Sequence, residues 1–169
     1  MARPEQNEAA SYFFRYINLA NGETVGELVK NHSEELKNFY NSIPDEKADY
    51  AYADGKWTIK EVMQHIIDAE RVFTYRMLRF ARKDSTPLHG FDENAFAENS
   101  HANNRTLQSL KEELNTLRAA TDIMLVNLTD DQLAFAGSSS NNSTTANAVA
   151  YIIFGHLIHH KNILSERYL

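Results

Sequence analysis

The stretch that most constrains this chain is NAVAYIIFGHLIHHKNILSE, residues Asn147 to Glu166. It reads as the last helix, strongly apolar yet carrying His156, His159 and His160. A helix turns about 100° per residue, so residues four apart sit roughly 40° apart on one face. Val149, Ile153, His156, His160 and Ile163 therefore form one stripe, the pattern of a buried bundle seam. Two imidazoles in such a seam need a reason. His159 falls at the edge of the stripe, about 60° from His156 and about 100° from His160.

Three further long helices are expected. The first runs from Val25 to about Asn41, with Thr24 and Glu27 at capping-box spacing, and ends before Pro44. The second begins at Thr58, with Glu61 as capping-box partner and a Trp57–Val62 staple, and runs to about Arg82. Ile59, Val62, Met63, Ile66, Phe73, Met77 and Phe80 line its main face. Val62, His65, Ala69, Val72 and Arg76 form a stripe on its flank. The third has Thr106 as N-cap and the seam Leu107, Leu110, Leu114, Leu117, Thr121, Met124 and Leu128. The aromatic-rich segment Ala9 to Leu19 is expected to form a short helix across the bundle. Lys83 to Arg105 is the longest irregular stretch, with a helical turn in DENAFAEN; loops of this length are commonly functional. Gly137 to Thr145 reads as a flexible polar loop, and no segment reads as strand. The expectation is an all-α four-helix bundle in a single domain, residues 1–169, with the long loop between helices two and three. Pattern alone does not determine the bundle's topology.

Composition narrows the function. The net charge is −6 with no basic tract, which argues against nucleic acid as a partner. No apolar run approaches the roughly 20 residues of a membrane span, so no membrane partner is expected. The segment MARPEQNEAASYFFRY has no apolar h-region, so a cytoplasmic location is expected. With no cysteine in the chain, disulfides, thiolate ligands and a cysteine nucleophile are excluded; any transition-metal site must use His, Asp or Glu.

His156 and His160 at i and i+4 can reach one ion from one helix, and His65 could supply a third ligand from the second. Three protein ligands leave a position for water or substrate, as in catalytic sites. The same spacing also suits three separate histidines hydrogen-bonded within the core. His159 is open to three roles: fourth ligand, nearby base or flank residue. Glu70 lies on the apolar side of helix two, where a carboxylate needs a partner; a structural ion pair and a general base are both open to it. His32, His89 and His101 read as surface residues. Asp92, Glu93 and Asn94 could contact substrate, or more simply cap a turn.

The motifs Trp57-Thr58-Ile59-Lys60-Glu61-Val62, His65-Ile66-Ile67-Asp68-Ala69-Glu70-Arg71, Gly90-Phe91-Asp92-Glu93-Asn94-Ala95 and Gly155-His156-Leu157-Ile158-His159-His160 together resemble the DinB/YfiT-like superfamily over nearly the whole chain. The resemblance implies a four-helix bundle holding one divalent metal (zinc, nickel, iron or manganese) on His65, His156 and His160. It also implies a homodimer. The family includes thiol S-transferases and an isomerase that use low-molecular-weight thiols such as bacillithiol or mycothiol, and many proteins described as metal-dependent hydrolases. The implied partners are a small electrophile and a small thiol. A hydrolase, or a non-catalytic metal- or ligand-binding module, is the alternative. The family's usual Arg-Gly-Gln after the last motif is replaced here by Lys161-Asn162-Ile163.

Overall fold

In the computed structural model, which describes residues 1–169, the four long helices are α2 (Val25–Ser42), α3 (Ile59–Ala81), α5 (Leu107–Val126) and α7 (Ala146–Arg167). Shorter elements join them: α1 (Phe14–Ile17), α4 (Glu93–Ser100), α6 (Asp130–Ala134), β1 (Ala136–Ser139) and β2 (Asn142–Thr145). The caps explain where the long helices begin. Thr58 Oγ1 accepts from Glu61 N, and Glu61 returns the bond by accepting from Thr58 N at 2.7 Å. Thr106 and Thr145 cap α5 and α7 without a returning bond, accepting from Ser109 N and Ala148 N. At α2 only half of the expected box forms. Thr24 accepts from Glu27 N, but Glu27 itself accepts from Glu23 N.

Helix α2 packs against α5 and α7, and α3 packs against the same two. The ring order is thus α2–α5–α3–α7, with the consecutive helices α2 and α3 on a diagonal. The contacts Gln64–Arg105, Glu70–Arg118 and Lys83–Asp131 advance together along α3 and past the start and end of α5, so these neighbours run parallel. Gly22–Tyr151, Tyr40–Leu157 and Lys47–Tyr168 show the same for α2 and α7. Parallel neighbours require the chain to return along the bundle before the next helix starts. Helix α5 has 20 residues and is about 30 Å long. That return is the physical reason for the long stretch between α3 and α5, which α4 partly fills, with Asp92 as its N-cap.

Two expectations are corrected. The segment read as a flexible polar loop is a β-hairpin, with Ala136 opposite Thr145 and Ser139 opposite Asn142. Its two turn residues, Ser140 and Asn141, both have positive φ (50° and 63°), as a type I′ turn requires. Leu88 joins the hairpin edge, donating to Ser138 O and accepting from Ser140 N. The hairpin also packs closely on α3, because a Cβ on Gly137 would lie 2.0 Å from the Phe80 ring. His32, read as a surface residue, is buried beside Phe154, with its Nε2 2.8 Å from Asn21 N. Burial pushes its pKa below the ordinary value.

One hydrophobic core of buried residues extends from Ala9 to Tyr168. Within it α1 and α7 approach closely, backbone to backbone. A Cβ on Gly155 would lie 2.0 Å from the carbonyl oxygen of Tyr16 and 2.9 Å from its Cα. Backbone cannot yield as a flexible side chain can. Gly155→Ala is therefore expected to cost about 3 kcal/mol or more, lowering Tm by roughly 6–12 °C in a chain of this size. Calorimetry giving a parent-like Tm would contradict the close approach.

Candidate metal centre

Helix α7 presents His156 and His160 one turn apart, and α3, packed antiparallel against it, presents His65. His156 Nε2 lies 3.1 Å from His65 Nε2 and 3.1 Å from His160 Nε2. One donor nitrogen from each ring falls within 4.8 Å of the others, and no other histidine, aspartate or glutamate joins this cluster. Burial is the main force on all three imidazoles. It pushes His65 down to about 4, against a partial upward pull from Glu93. It pushes His156 and His160 well below the ordinary value, and the neighbouring histidines push them further. At neutral pH the rings are uncharged. One Nε2 cannot serve two imidazole partners well, since a neutral ring nitrogen has either one proton or one lone pair. A divalent ion resolves this. Nitrogens about 2.1 Å from an ion stand roughly 3.0–3.4 Å apart, depending on coordination geometry, which matches the two 3.1 Å separations. The donor set thus fits a borderline transition metal.

Aromatic rings hold the imidazoles in place. Trp57 lies against His65 with ring centroids 4.9 Å apart. Phe73 meets His156 edge to face at 5.6 Å, and Tyr16 meets His156 and His159 at 5.5 and 5.3 Å. The Gly155 contact is what brings Tyr16 so near. The three histidines open onto a cavity of about 300 Å³. Its apolar walls are Tyr12, Phe13, Tyr16, Trp57, Ala69, Phe73 and Phe91; its polar groups, apart from the histidines, are Arg15, Arg76, Glu93 and Ser140. Phe91 and Glu93 come from the α3–α5 connection, and Ser140 from the hairpin turn.

The other residues singled out by sequence separate clearly. His159 is half-buried and lines the cavity but lies outside the three-nitrogen cluster. Burial, then Arg15, lowers its pKa. Glu70, considered as a base, does not line this cavity. It comes five residues after His65, about 140° round the helix, and faces α5. There Arg118 Nη1 and Thr121 Oγ1 donate to its Oε1 at 2.9 and 2.7 Å. It is a buried ion-paired carboxylate whose other oxygen has no partner, and burial raises its pKa despite Arg118. Asp92 caps α4, whereas Glu93 reaches the cavity. Sequence reasoning gave Tyr16, Phe73 and Arg76 no role in the site. Arg76 carried a signal: His65, Ala69 and Arg76 share the flanking stripe of α3, and all three line the cavity.

The sequence profile of the DinB superfamily matches residues 28–164. A protein of Oceanobacillus iheyensis named "Putative metal-dependent hydrolase" is 27% identical over 144 residues, covering 82% of each chain. Among solved structures, YfiT from Bacillus subtilis is described as a probable metal-dependent hydrolase with an unusual four-helix bundle topology. It aligns with a TM-score of 0.71 at 19% identity, over 96% of this chain and 89% of its own. A mycothiol-dependent maleylpyruvate isomerase aligns with a TM-score of 0.65 at 12% identity. That alignment covers 88% of this chain and 59% of the isomerase. At these identities the two structures establish the fold.

Untagged protein purified without chelator is expected to carry close to one divalent ion per chain by elemental analysis. His65→Ala, His156→Ala and His160→Ala should each lose it, and His159→Ala should keep it. Equal loss from all four variants would reject this ligand set. Removing the metal is expected to lower Tm by roughly 5–10 °C, because the ion binds the folded chain alone.

Proposed function

The chain belongs to the DinB superfamily, and from that premise we propose that it is a divalent-metal-dependent enzyme that transfers a low-molecular-weight thiol to a small electrophile. The observation that carries this reading is the convergence of three neutral imidazoles at an open, mainly aromatic cavity. His65, His156 and His160 would hold the ion. When bound, a divalent ion supplies Lewis acidity that lowers the pKa of a thiol or water reaching it. The rest is the work of the chain's own residues. No cysteine is available, so the nucleophile comes from outside. Tyr16, Trp57 and Phe73 exclude water around the histidines, which suits a soft sulfur nucleophile and an organic electrophile. His159, neutral and lining the cavity, accepts the thiol proton. The sulfur–carbon bond forms as the leaving group departs with its electron pair. The mycothiol dependence of one structural neighbour is consistent with this chemistry. The cytoplasm, where small thiols are kept reduced, is the compartment that suits it. Hydrolysis is the second reading, favoured by the description of the Oceanobacillus iheyensis relative; water then takes the place of the thiol.

Metal-loaded protein is expected to conjugate monochlorobimane to at least one member of a panel of small thiols, monitored by fluorescence. His160→Ala should fall to background, and His159→Asn should lose about 10²-fold. If an intact metal site consumes no thiol with a broad electrophile set, yet cleaves an ester or amide panel, the protein is a hydrolase.

The same proposal includes a homodimer. Leu78 on α3 and Ile123 and Val126 on α5 stay exposed at about the same level of two parallel helices. Sedimentation equilibrium at tens of micromolar should give twice the 19.3 kDa chain mass. The mass of a single chain would count against the dimer.

A further inference from the structure

Transfer chemistry at the histidines leaves one wall residue without a role. Arg76 lies on α3, eleven residues after His65, and lines the same cavity. It is only 6% exposed. Its Nη2 donates to His89 O at 3.0 Å and to Ser140 Oγ at 3.3 Å, both uncharged acceptors. None of the chain's ion pairs includes Arg76, whereas Arg118, the other buried arginine of the bundle, pairs with Glu70 and Asp122. Glu93, the one carboxylate among the lining residues, makes no ion pair with Arg76. A guanidinium keeps its charge when buried. Left without an anion, that charge is costly.

The surroundings hold this arginine in place. His89 belongs to the α3–α5 connection, and Ser140 to the hairpin turn, some fifty residues later. Leu88 binds the two segments together through Ser138 O and Ser140 N. A Cβ on Gly90 would lie 3.1 Å from Ser140 Oγ, so the connection passes directly over the turn. Two distant segments therefore meet at one face of the guanidinium and leave its Nε and Nη1 without an acceptor in the chain.

Resting on the assignment of this cavity as the reaction site, we infer that Arg76 is its anion-recognition residue and that the ligand is a small organic acid whose carboxylate pairs with it. A planar guanidinium matches a carboxylate in shape and charge. Arg76 is the one buried side-chain cation of this mainly aromatic space of about 300 Å³, which suits a single carboxylate on an organic body better than a polyanion. The acid group can belong to the thiol or to the electrophile.

Calorimetry on metal-saturated, untagged protein tests this with two probe pairs. The thiol arm compares 3-mercaptopropionate with 3-mercaptopropionamide; the other arm compares 3-phenylpropionate with 3-phenylpropionamide. A bound ion also attracts carboxylates, so the readout is the change in acid-over-amide preference on substitution. In at least one arm the parent should prefer the acid by about tenfold or more. Arg76→Met should remove most of that preference and leave amide affinity unchanged, Arg76→Lys should keep part of it, and Arg82→Gln, exposed and outside the cavity, should keep it all. Circular dichroism and metal content verify each variant; if Arg76→Met does not fold, Arg76→Gln against Arg76→Lys gives the same comparison. An undiminished acid preference without Arg76, no preference in the parent, or tighter binding of inorganic phosphate than of either acid would overturn the assignment. Arg76-dependent preference in the phenylpropionate arm, with no binding of either thiol, would sink the thiol reading and leave the Arg76 assignment standing.

Discussion

Three uncharged imidazoles meet where α3 crosses α7, and their nitrogens cannot satisfy one another. Burial keeps the rings neutral, and one nitrogen of each lies close enough to the others to share an ion. The site depends on the packing of the two helices, since the donors come from both. A shift of an ångström between α3 and α7 would separate His65 from its partners. Gly155 and Tyr16 guard against such a shift from one side, and Trp57 from the other. The first pins α1 backbone against α7, and the second lays an indole on His65. Structure and site therefore share the same contacts. A residue placed for packing, such as Tyr16, is also a wall of the cavity.

The topology contributes the rest of that wall. With α3 and α5 parallel, the chain must travel back along the bundle between them; with α5 and α7 on a diagonal, a second long connection is needed. Neither connection is idle. The first brings Phe91 and Glu93 to the cavity, and the second brings Ser140. The backbone bonds between Leu88 and the hairpin join the two connections to each other. The constraint that forces long crossovers thus also supplies the cavity's outer rim.

Two buried arginines illustrate how environment assigns a role. Arg118 meets Glu70 and Asp122 between α3 and α5 and lies 4.7 Å from the Phe154 ring centroid, so its charge is answered within the protein. Such a pair helps specify which helix faces which. Arg76 is about as buried but is met only by a carbonyl and a hydroxyl, at the edge of a space large enough for a ligand. The same side chain serves structure in one place and is open to recognition in the other. The difference lies in whether an acidic residue stands within reach.

Much of this was legible in the chain itself. The seams, the caps at Thr58 and Thr106 and the four long helices follow from local periodicity and side-chain hydrogen bonding, which neighbouring residues decide among themselves. The pairing of His156 with His160 is equally local, since four residues along a helix place both on one face. His65 joined them through motif resemblance, because its distance from α7 depends on packing. The hairpin escaped notice because GSSSNNSTT has no alternation of apolar and polar residues; its strands exist through pairing with each other and with Leu88. Sequence left Glu70 open to an ion pair, the commoner role of a buried carboxylate, and to acid–base chemistry; in the fold Arg118 and Thr121 face it from α5. Periodicity records which face of a helix is buried, and only the folded arrangement of helices decides what that face meets.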